Sequence, residues 1–305
     1  MAAKTGKPLS RLRFPFYCGG VTVLEVIQRS AEFLGARKVD SPRLQVELML
    51  AHVLGLPRMS LYLNFERALT PPELDQVRQL VKRRGQREPL QHILGSACFC
   101  GLDLRVNRSV LIPRPETELL AEAGWEFLNA RQSPARCALD FGTGSGCLAI
   151  TLAVKSPAAR IYALDVSEEA LAVARENAAR HGAEPRIEFL AGDGFAGVPA
   201  GLGFDLIIAN PPYIPSGEIA TLQEEVRDHD PRLALDGGAD GVGFYRRLAG
   251  ESAPFLKPGA RMMLEFGDGQ ADAVRELFEA QKWVVEAVKL DYRGQQRILV
   301  ARRND

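Results

Sequence analysis

The chain has 305 residues, enough for one large domain and a smaller one, and its 46% apolar content excludes a disordered protein. Lys plus Arg and Asp plus Glu both number 38, so the balanced charge lacks the basic surplus that phosphate neutralisation brings to nucleic-acid binders. The five cysteines form no CxxC pair, and no apolar run approaches the roughly 18 residues of a membrane span, which points to free thiols, no metal site and a cytoplasmic protein.

Residues 1–20 read as a flexible arm. Helical periodicity then starts at Thr22, a capping residue followed by Leu24, Ile27, Ala31 and Leu34 on one face. Ser41-Pro42 predicts a second helix, with a hydroxyl cap before a proline at the first helical position and Gly55 at its end. Thr70-Pro71-Pro72-Glu73 opens a third, closing on Lys82, Arg83 and Arg84, whose charges complement the helix dipole. Residues 21–95 are therefore expected to form a small helical domain, which 96–113, with alternating β-type residues, links through a β-hairpin to a domain at 114–305.

That last domain alternates strand and helix. Strands are expected at Arg136–Phe141, Arg160–Leu164, Ile187–Leu190, Phe204–Ala209 and Arg261–Phe266, with helices after Gly146, from Ser167 to about His181, near Phe244–Phe255 and at Ala271–Gln281. The pattern implies an α/β, doubly wound, mostly parallel Rossmann-like sheet. The final strands, Trp283–Leu290 and Gln296–Ala301, are joined too closely for a parallel crossover and form an antiparallel hairpin.

Ligands of such sheets bind beyond the carboxyl ends of the strands. The first strand ends in Gly142-Thr143-Gly144-Ser145-Gly146, where glycines let the backbone approach a ligand, and the second ends at Asp165, suited to ribose hydroxyls. Asp193, before Gly194, has the reach for an adenine amino group. These features fit a dinucleotide or an adenosyl ligand equally, since Gly144-x-Gly146-x-x-Ala149 satisfies the relaxed dinucleotide pattern.

The deciding motif is Asn210-Pro211-Pro212-Tyr213, directly after the fourth strand. Asparagine offers an uncharged acceptor and donor, the prolines rigidify neighbouring carbonyls and remove N–H groups, and tyrosine adds a flat face. Together they suit a neutral NH2 on a planar substrate.

With these motifs the chain resembles the class I S-adenosylmethionine-dependent methyltransferases, and specifically the HemK/PrmC family that methylates glutamine in peptide chain release factors. The resemblance spans about residues 21–302 and includes the helical domain, Leu111-Ile112-Pro113-Arg114-Pro115-Glu116-Thr117-Glu118, Asp140–Gly146 and Asn210–Tyr213. It implies S-adenosylmethionine as cofactor, with S-adenosylhomocysteine as product, held by Gly142–Gly146, Asp165, Asp193, Gly194 and Asn210. Asn210, Pro211, Pro212 and Tyr213 would hold the glutamine of the Gly-Gly-Gln loop, with Asn210, Pro211 and Tyr213 carrying catalysis, and Thr117 and Glu118 would line the cofactor cleft. Gly194 departs from the family, which places a bulkier, often aromatic, residue there. The implied partners are release factors, bound by a monomer through its helical domain, with no membrane and no direct nucleic-acid contact.

The expected reaction is direct displacement by the amide nitrogen, without a side-chain base. His52, His92, His181 and His229 lie outside the motifs, and His229 between Asp228 and Asp230 reads as a solvated loop rather than a metal site. The competing readings are methylation of adenine in RNA or DNA, methylation of a ribosomal-protein glutamine, a nicotinamide-dependent oxidoreductase that leaves Asn210–Tyr213 unexplained, and a non-catalytic adaptor.

Overall fold

The computed structural model describes residues 20–132 and 135–304, so the expected arm, with Cys18, falls almost entirely outside the described residues. The chain divides into two compact units, Met1–Leu94 and Gly95–Asp305.

In the first unit, helices α1 (Val23–Gly35), α2 (Pro42–Leu54) and α3 (Pro71–Arg84) and the short α4 (Leu90–Leu94) enclose their own apolar core, including Val26, Ile27, Leu34, Leu50 and Val77. Thr22 caps α1 in a reciprocal capping box with Glu25. Ser41 behaves differently from expectation. It takes a left-handed φ of 45° and makes no side-chain cap bond, and its carbonyl accepts the first helical N–H, from Gln45 at 3.2 Å. Gly55, at φ 62°, ends α2 in the left-handed conformation that glycine adopts without strain.

The second unit opens with an antiparallel hairpin, β1 (Ser96–Phe99) and β2 (Leu102–Arg105), then α5 (Pro115–Ala130). There follow β3 (Arg136–Phe141), α6 (Cys147–Lys155), β4 (Ala159–Asp165), α7 (Glu168–Arg180), β5 (Ile187–Ala191) and β6 (Phe204–Ala209). The chain finishes with α8 (Glu224–Arg227), α9 (Gly243–Glu251), β7 (Leu256–Glu265), α10 (Ala271–Ala280), β8 (Trp283–Leu290) and β9 (Gln296–Arg303). Helix α5 is absent from the sequence-based elements, although Pro115 at its first turn and the acidic Glu116 and Glu118 behind it are helix-start signals.

The seven-stranded sheet has the order β5-β4-β3-β6-β7-β9-β8. Its first five strands are parallel, and β9 runs antiparallel to both β7 and β8, as the short connection requires. Every residue of β6 is buried because helices cover both faces. Leu206 and Ile208 pack with residues of α5 and α6 on one side, while Phe204, Ile207 and Ala209 pack with α9 and α10 on the other. The strand order reverses between β3 and β6, which places the topological switch point, and the crevice beyond it, at the residues that follow Phe141 and Ala209. Among the described residues no helix is long and apolar enough to cross a membrane.

Asn177, on α7, stitches the hairpin to the glycine-rich loop. Fully buried, it accepts the Arg105 N–H at 2.6 Å and donates to the carbonyls of Arg105 and Ser145, each at 2.9 Å. Asn177→Ala should remove three bonds and leave backbone groups without partners, lowering stability by about 2–3 kcal/mol. A denaturant midpoint unchanged from wild type would contradict this role.

Candidate active site

The crevice at the switch point is built on one buried carboxylate. Asp140, in β3, is fully buried, and its Oδ2 accepts the Thr143 hydroxyl at 2.6 Å and the Ala149 N–H at 3.1 Å. These bonds fold the glycine-rich turn back over the strand and tie it to the first turns of α6. Burial pushes the Asp140 carboxyl up to about 7, against the pull of those two donors, and the nearby Asp165 adds to the push. Its Oδ1 has no hydrogen-bond partner.

Gly142, Gly144 and Gly146 all take positive φ, at 77°, 54° and 81°. At Gly146 the reason is also steric, because a Cβ would sit 2.8 Å from Ile150 Cδ1 and 3.1 Å from Ala174 Cβ. The N–H groups of Gly142 and Thr143 both donate to the Leu164 carbonyl at 2.9 Å, and that of Gly144 donates to Asp165 Oδ2 at 2.8 Å. Asp165 thus braces the loop and also accepts the Ser167 N–H through Oδ1 at 3.0 Å. Each oxygen keeps a further lone pair for a ligand. Thr143 and Ser145 are themselves buried, and the Thr143 hydroxyl is spent on Asp140.

Across the cleft lie Gly192, Asp193 and Gly194. Asp193 lines the cleft, with its Oδ1 paired with Arg247 at 2.7 Å and its side chain 74% exposed. Gly194 has a φ of 62°, a left-handed conformation that glycine adopts without strain and a larger residue would not.

Asn210, Pro211 and Pro212 line the same cleft as Gly142–Ser145 and Asp165. Asn210 donates through Nδ2 to Thr117 Oγ1 at 3.1 Å. Tyr213 is placed apart: its ring packs with the core on the α9–α10 side and against Gly267, where a Cβ would approach Tyr213 Cδ2 to 2.9 Å. Burial pushes its hydroxyl up to about 12, and its carbonyl accepts from Gln270 Nε2 at 2.9 Å. Tyr213 therefore secures the turn from beneath, and the surfaces that face the cleft are those of Asn210 and the two prolines.

Thr117 lines the cleft as well, whereas Glu118 turns to the hairpin and accepts the Cys100 N–H at 2.7 Å. The cleft also takes Val110, Val166, Leu233 and Phe244, none of which sequence reasoning selected. They are isolated apolar residues in loops or on α9, brought together only by the tertiary fold, and no local pattern marks them. Arg114 signals its role better: it closes the cleft wall by pairing with Asp230 at 2.7 Å, whose side chain is 1% exposed. Among the described residues no group of three or more His, Cys, Asp or Glu is arranged to hold a metal.

The lining is thus apolar on its walls, with a carboxylate beside a glycine turn at one end and uncharged acceptors at the other. Such a lining suits a small molecule that is largely apolar with a few polar groups.

Comparison with known proteins agrees with this geometry. Residues 25–95 match the PrmC N-terminal domain and residues 117–238 the methyltransferase small domain. The fold is shared with the solved hMettl16 catalytic domain at a TM-score of 0.53 and 15% identity, over 77% of this chain and 83% of that one. The protein is a methyltransferase with a Rossmann-like catalytic domain. The chain is 45% identical to the release factor glutamine methyltransferase of Geobacter sulfurreducens, over 84% of its own length and 88% of the relative's. It is 40% identical to that of Moorella thermoacetica, over 93% of its length and all of the relative's, 100%. It belongs to the release factor glutamine methyltransferase family.

Two of the site's carboxyls leave a mark on stability. Burial pushes Glu265, the last residue of β7, up to about 7, as it does Asp140. Both folded-state values lie above the unfolded ones, so folding takes up protons between about pH 5 and 7, and stability falls as pH rises through that window. Each group contributes at most ~1.4 kcal/mol per pH unit. The ligand-free protein should therefore melt higher at about pH 6 than at about pH 8, with a shallower slope in Asp140→Asn. A melting temperature that climbs over this range would contradict the burial of these carboxyls as acids.

Proposed function

We propose that the protein transfers a methyl group from S-adenosylmethionine to the side-chain amide nitrogen of the glutamine in the Gly-Gly-Gln loop of peptide chain release factors, leaving S-adenosylhomocysteine. The observation that carries this reading is that Asn210, Pro211 and Pro212 line the cleft that contains Gly142–Ser145 and Asp165. Family membership supports it, since the curated relatives carry that activity in their names.

Gly142–Gly146, Asp165 and the Asp193-Gly194 turn would hold the cofactor, Asp165 through the ribose hydroxyls and Gly194 through its backbone. When bound, the cofactor supplies an electrophilic methyl group on a sulfonium centre. The chain's task is to prepare a poor nucleophile, because the lone pair of an amide nitrogen is delocalised into its carbonyl. Asn210 Oδ1 and the Pro211 carbonyl accept the two hydrogens of the glutamine NH2. These bonds direct the nitrogen toward the methyl group, favour pyramidalisation and stabilise the positive charge that develops there. Holding the reacting atoms in line can itself be worth on the order of 7–11 kcal/mol. The nitrogen's proton becomes acidic only after the new C–N bond forms, so no side-chain base need act beforehand. Pro211 and Pro212 keep the acceptors rigid and remove competing N–H donors, and Tyr213 holds the turn from the core side.

The helical unit at 21–95 is proposed to recognise the release factor, with the hairpin segment 96–113 leading to the catalytic domain at 114–305. The reading places the enzyme in the cytoplasm, with no metal requirement, as a monomer.

Incubation with S-adenosylmethionine and a release factor, followed by peptide mass spectrometry, should show one added methyl on the glutamine of the Gly-Gly-Gln loop. Methyl incorporation into bulk RNA instead would overturn the substrate assignment. Asn210→Ala should lower turnover by roughly 100- to 1,000-fold while leaving cofactor affinity largely intact. Asp165→Ala should weaken cofactor binding by about 10-fold or more, since a hydrogen bond to a charged group contributes ~1.5–3 kcal/mol. Unchanged turnover in the first variant, or unchanged calorimetric affinity in the second, would remove that residue from its role.

A further inference from the structure

We infer that Gln270 is a positioning residue for methyl transfer, a splint that fixes the turn carrying Asn210 and Pro211 from outside the cleft. The inference rests on the proposed function, in which those two residues hold the glutamine amide nitrogen. Pro211 and Pro212 have no N–H to donate, so the turn depends on its carbonyls and side chains for support. On the cleft side the Asn210 side chain donates to Thr117. At the far end of the turn the support comes from Gln270.

Gln270 is the N-cap residue of α10, and its side-chain amide spans three backbone groups. Oε1 accepts the Gly267 N–H at 2.9 Å, while Nε2 donates to the Tyr213 carbonyl at 2.9 Å and to that of Gly241 at 3.4 Å. A backbone N–H can only donate and a carbonyl can only accept, so the amide has a single orientation that meets all three. Gln270 does not line the cleft. Any effect it has on the reaction must therefore pass through the turn.

Three glycines let the backbone close around this splint. A Cβ on Gly241 would lie 2.5 Å from the Tyr213 oxygen and 2.7 Å from Gln270 Nε2. One on Gly237 would lie 2.8 Å from Tyr213 Cα, and one on Gly267 would lie 3.1 Å from Gln270 Oε1. Two loops thus meet Tyr213 directly, and Gln270 bridges both.

The bridge also reaches another wall of the cleft. Just past the turn, Ile214 donates to the Leu235 carbonyl at 3.0 Å, and its own carbonyl accepts the Gly237 N–H at 2.8 Å. Leu233 and Ala234, immediately before this pairing, line the cleft with Asn210–Pro212. One side chain therefore sets the turn and the loop that follows Leu233 against the same corner of the sheet.

A residue that only closed the corner before α10 would not need an amide. Oε1 alone would serve, and a carboxylate supplies that acceptor along with a charge that suits a helix N-terminus. Nε2 contributes nothing to α10 and is spent on Tyr213 and Gly241. Glutamate keeps the size and the acceptor of glutamine but sets an oxygen against those two carbonyls, so Gln270→Glu separates the two roles.

The test combines kinetics with a readout that needs no substrate. Gln270→Glu and Gln270→Met should each lower kcat on a release factor by roughly 10- to 100-fold, with calorimetric cofactor affinity unchanged, as expected of a small misplacement of reacting groups. In an Asn210→Ala background the Gln270→Met change should cost less than about 3-fold, because both act through one clamp. Nitrogen-15 resonances of the Asn210 side-chain amide and the Tyr213 N–H, in the full chain without release factor, should shift in both Gln270 variants. Wild-type turnover in Gln270→Glu would reduce Gln270 to a corner residue and overturn the inference. So would fully multiplicative losses in the double variant, or cofactor affinity that falls in step with turnover. If Gln270→Met does not fold, Gln270→Glu decides on the same readouts. Should the wild type leave release-factor glutamine unmethylated, the functional reading falls, and the two resonances still decide the positioning: shifted they support it, unmoved they overturn it.

Discussion

Asn210 gives its side-chain N–H to Thr117, 3.1 Å away, and so keeps an uncharged oxygen for whatever enters the cleft. Much of the second unit serves to hold that group still. Strand β6 is buried along its whole length between α5–α6 and α9–α10, which fixes the point at which Asn210 leaves the sheet. Pro211 and Pro212 stiffen the exit, and Tyr213 anchors it against Gly267. The glycine turn opposite is pinned from below by Asp140, from the side by Asp165 and from behind by Asn177.

Such a site has an energetic cost that the rest of the fold offsets. Asp140 and Glu265 are carboxyls kept from water, and each retains an oxygen without a hydrogen-bond partner. Buried acids of this kind lower stability at neutral pH, yet in exchange Asp140 acts as a fixed acceptor for the Thr143 hydroxyl and the Ala149 N–H. The apolar packing on both sheet faces, dominated by residues such as Leu206, Ile207, Tyr245 and Phe278, offsets that cost.

The sheet was legible in the sequence because its signals are local. Strand β6 closes on the apolar run Leu206–Ala209 just before Asn210, and the short Asp291–Gln295 link dictates an antiparallel closing pair. Gly142–Gly146, Asp165 and Asn210–Pro212 were equally visible, since turn chemistry at strand ends depends on adjacent residues. What escaped depends on distance along the chain. Helix α5 carries start signals but was absorbed into a motif, and Glu265 lies 55 residues beyond Asn210, joined to it only by strand pairing. Asp193 was visible as a residue while its partner Arg247, on α9, was not. Tyr213 was legible as an aromatic, but which way its ring packs is decided by Gly267 and the far face of the sheet.

In the proposed reaction Asn210 and the Pro211 carbonyl hold a glutamine amide nitrogen toward the methyl donor. A crystal structure with S-adenosylhomocysteine and a peptide bearing the Gly-Gly-Gln sequence tests it most directly. The account predicts the glutamine side-chain nitrogen at about 3 Å from Asn210 Oδ1 and from the Pro211 carbonyl oxygen, aimed at the sulfur, with Asn210 still donating to Thr117. A glutamine seated elsewhere in the cleft, or an Asn210 that has left Thr117 to donate to the substrate carbonyl, would contradict it.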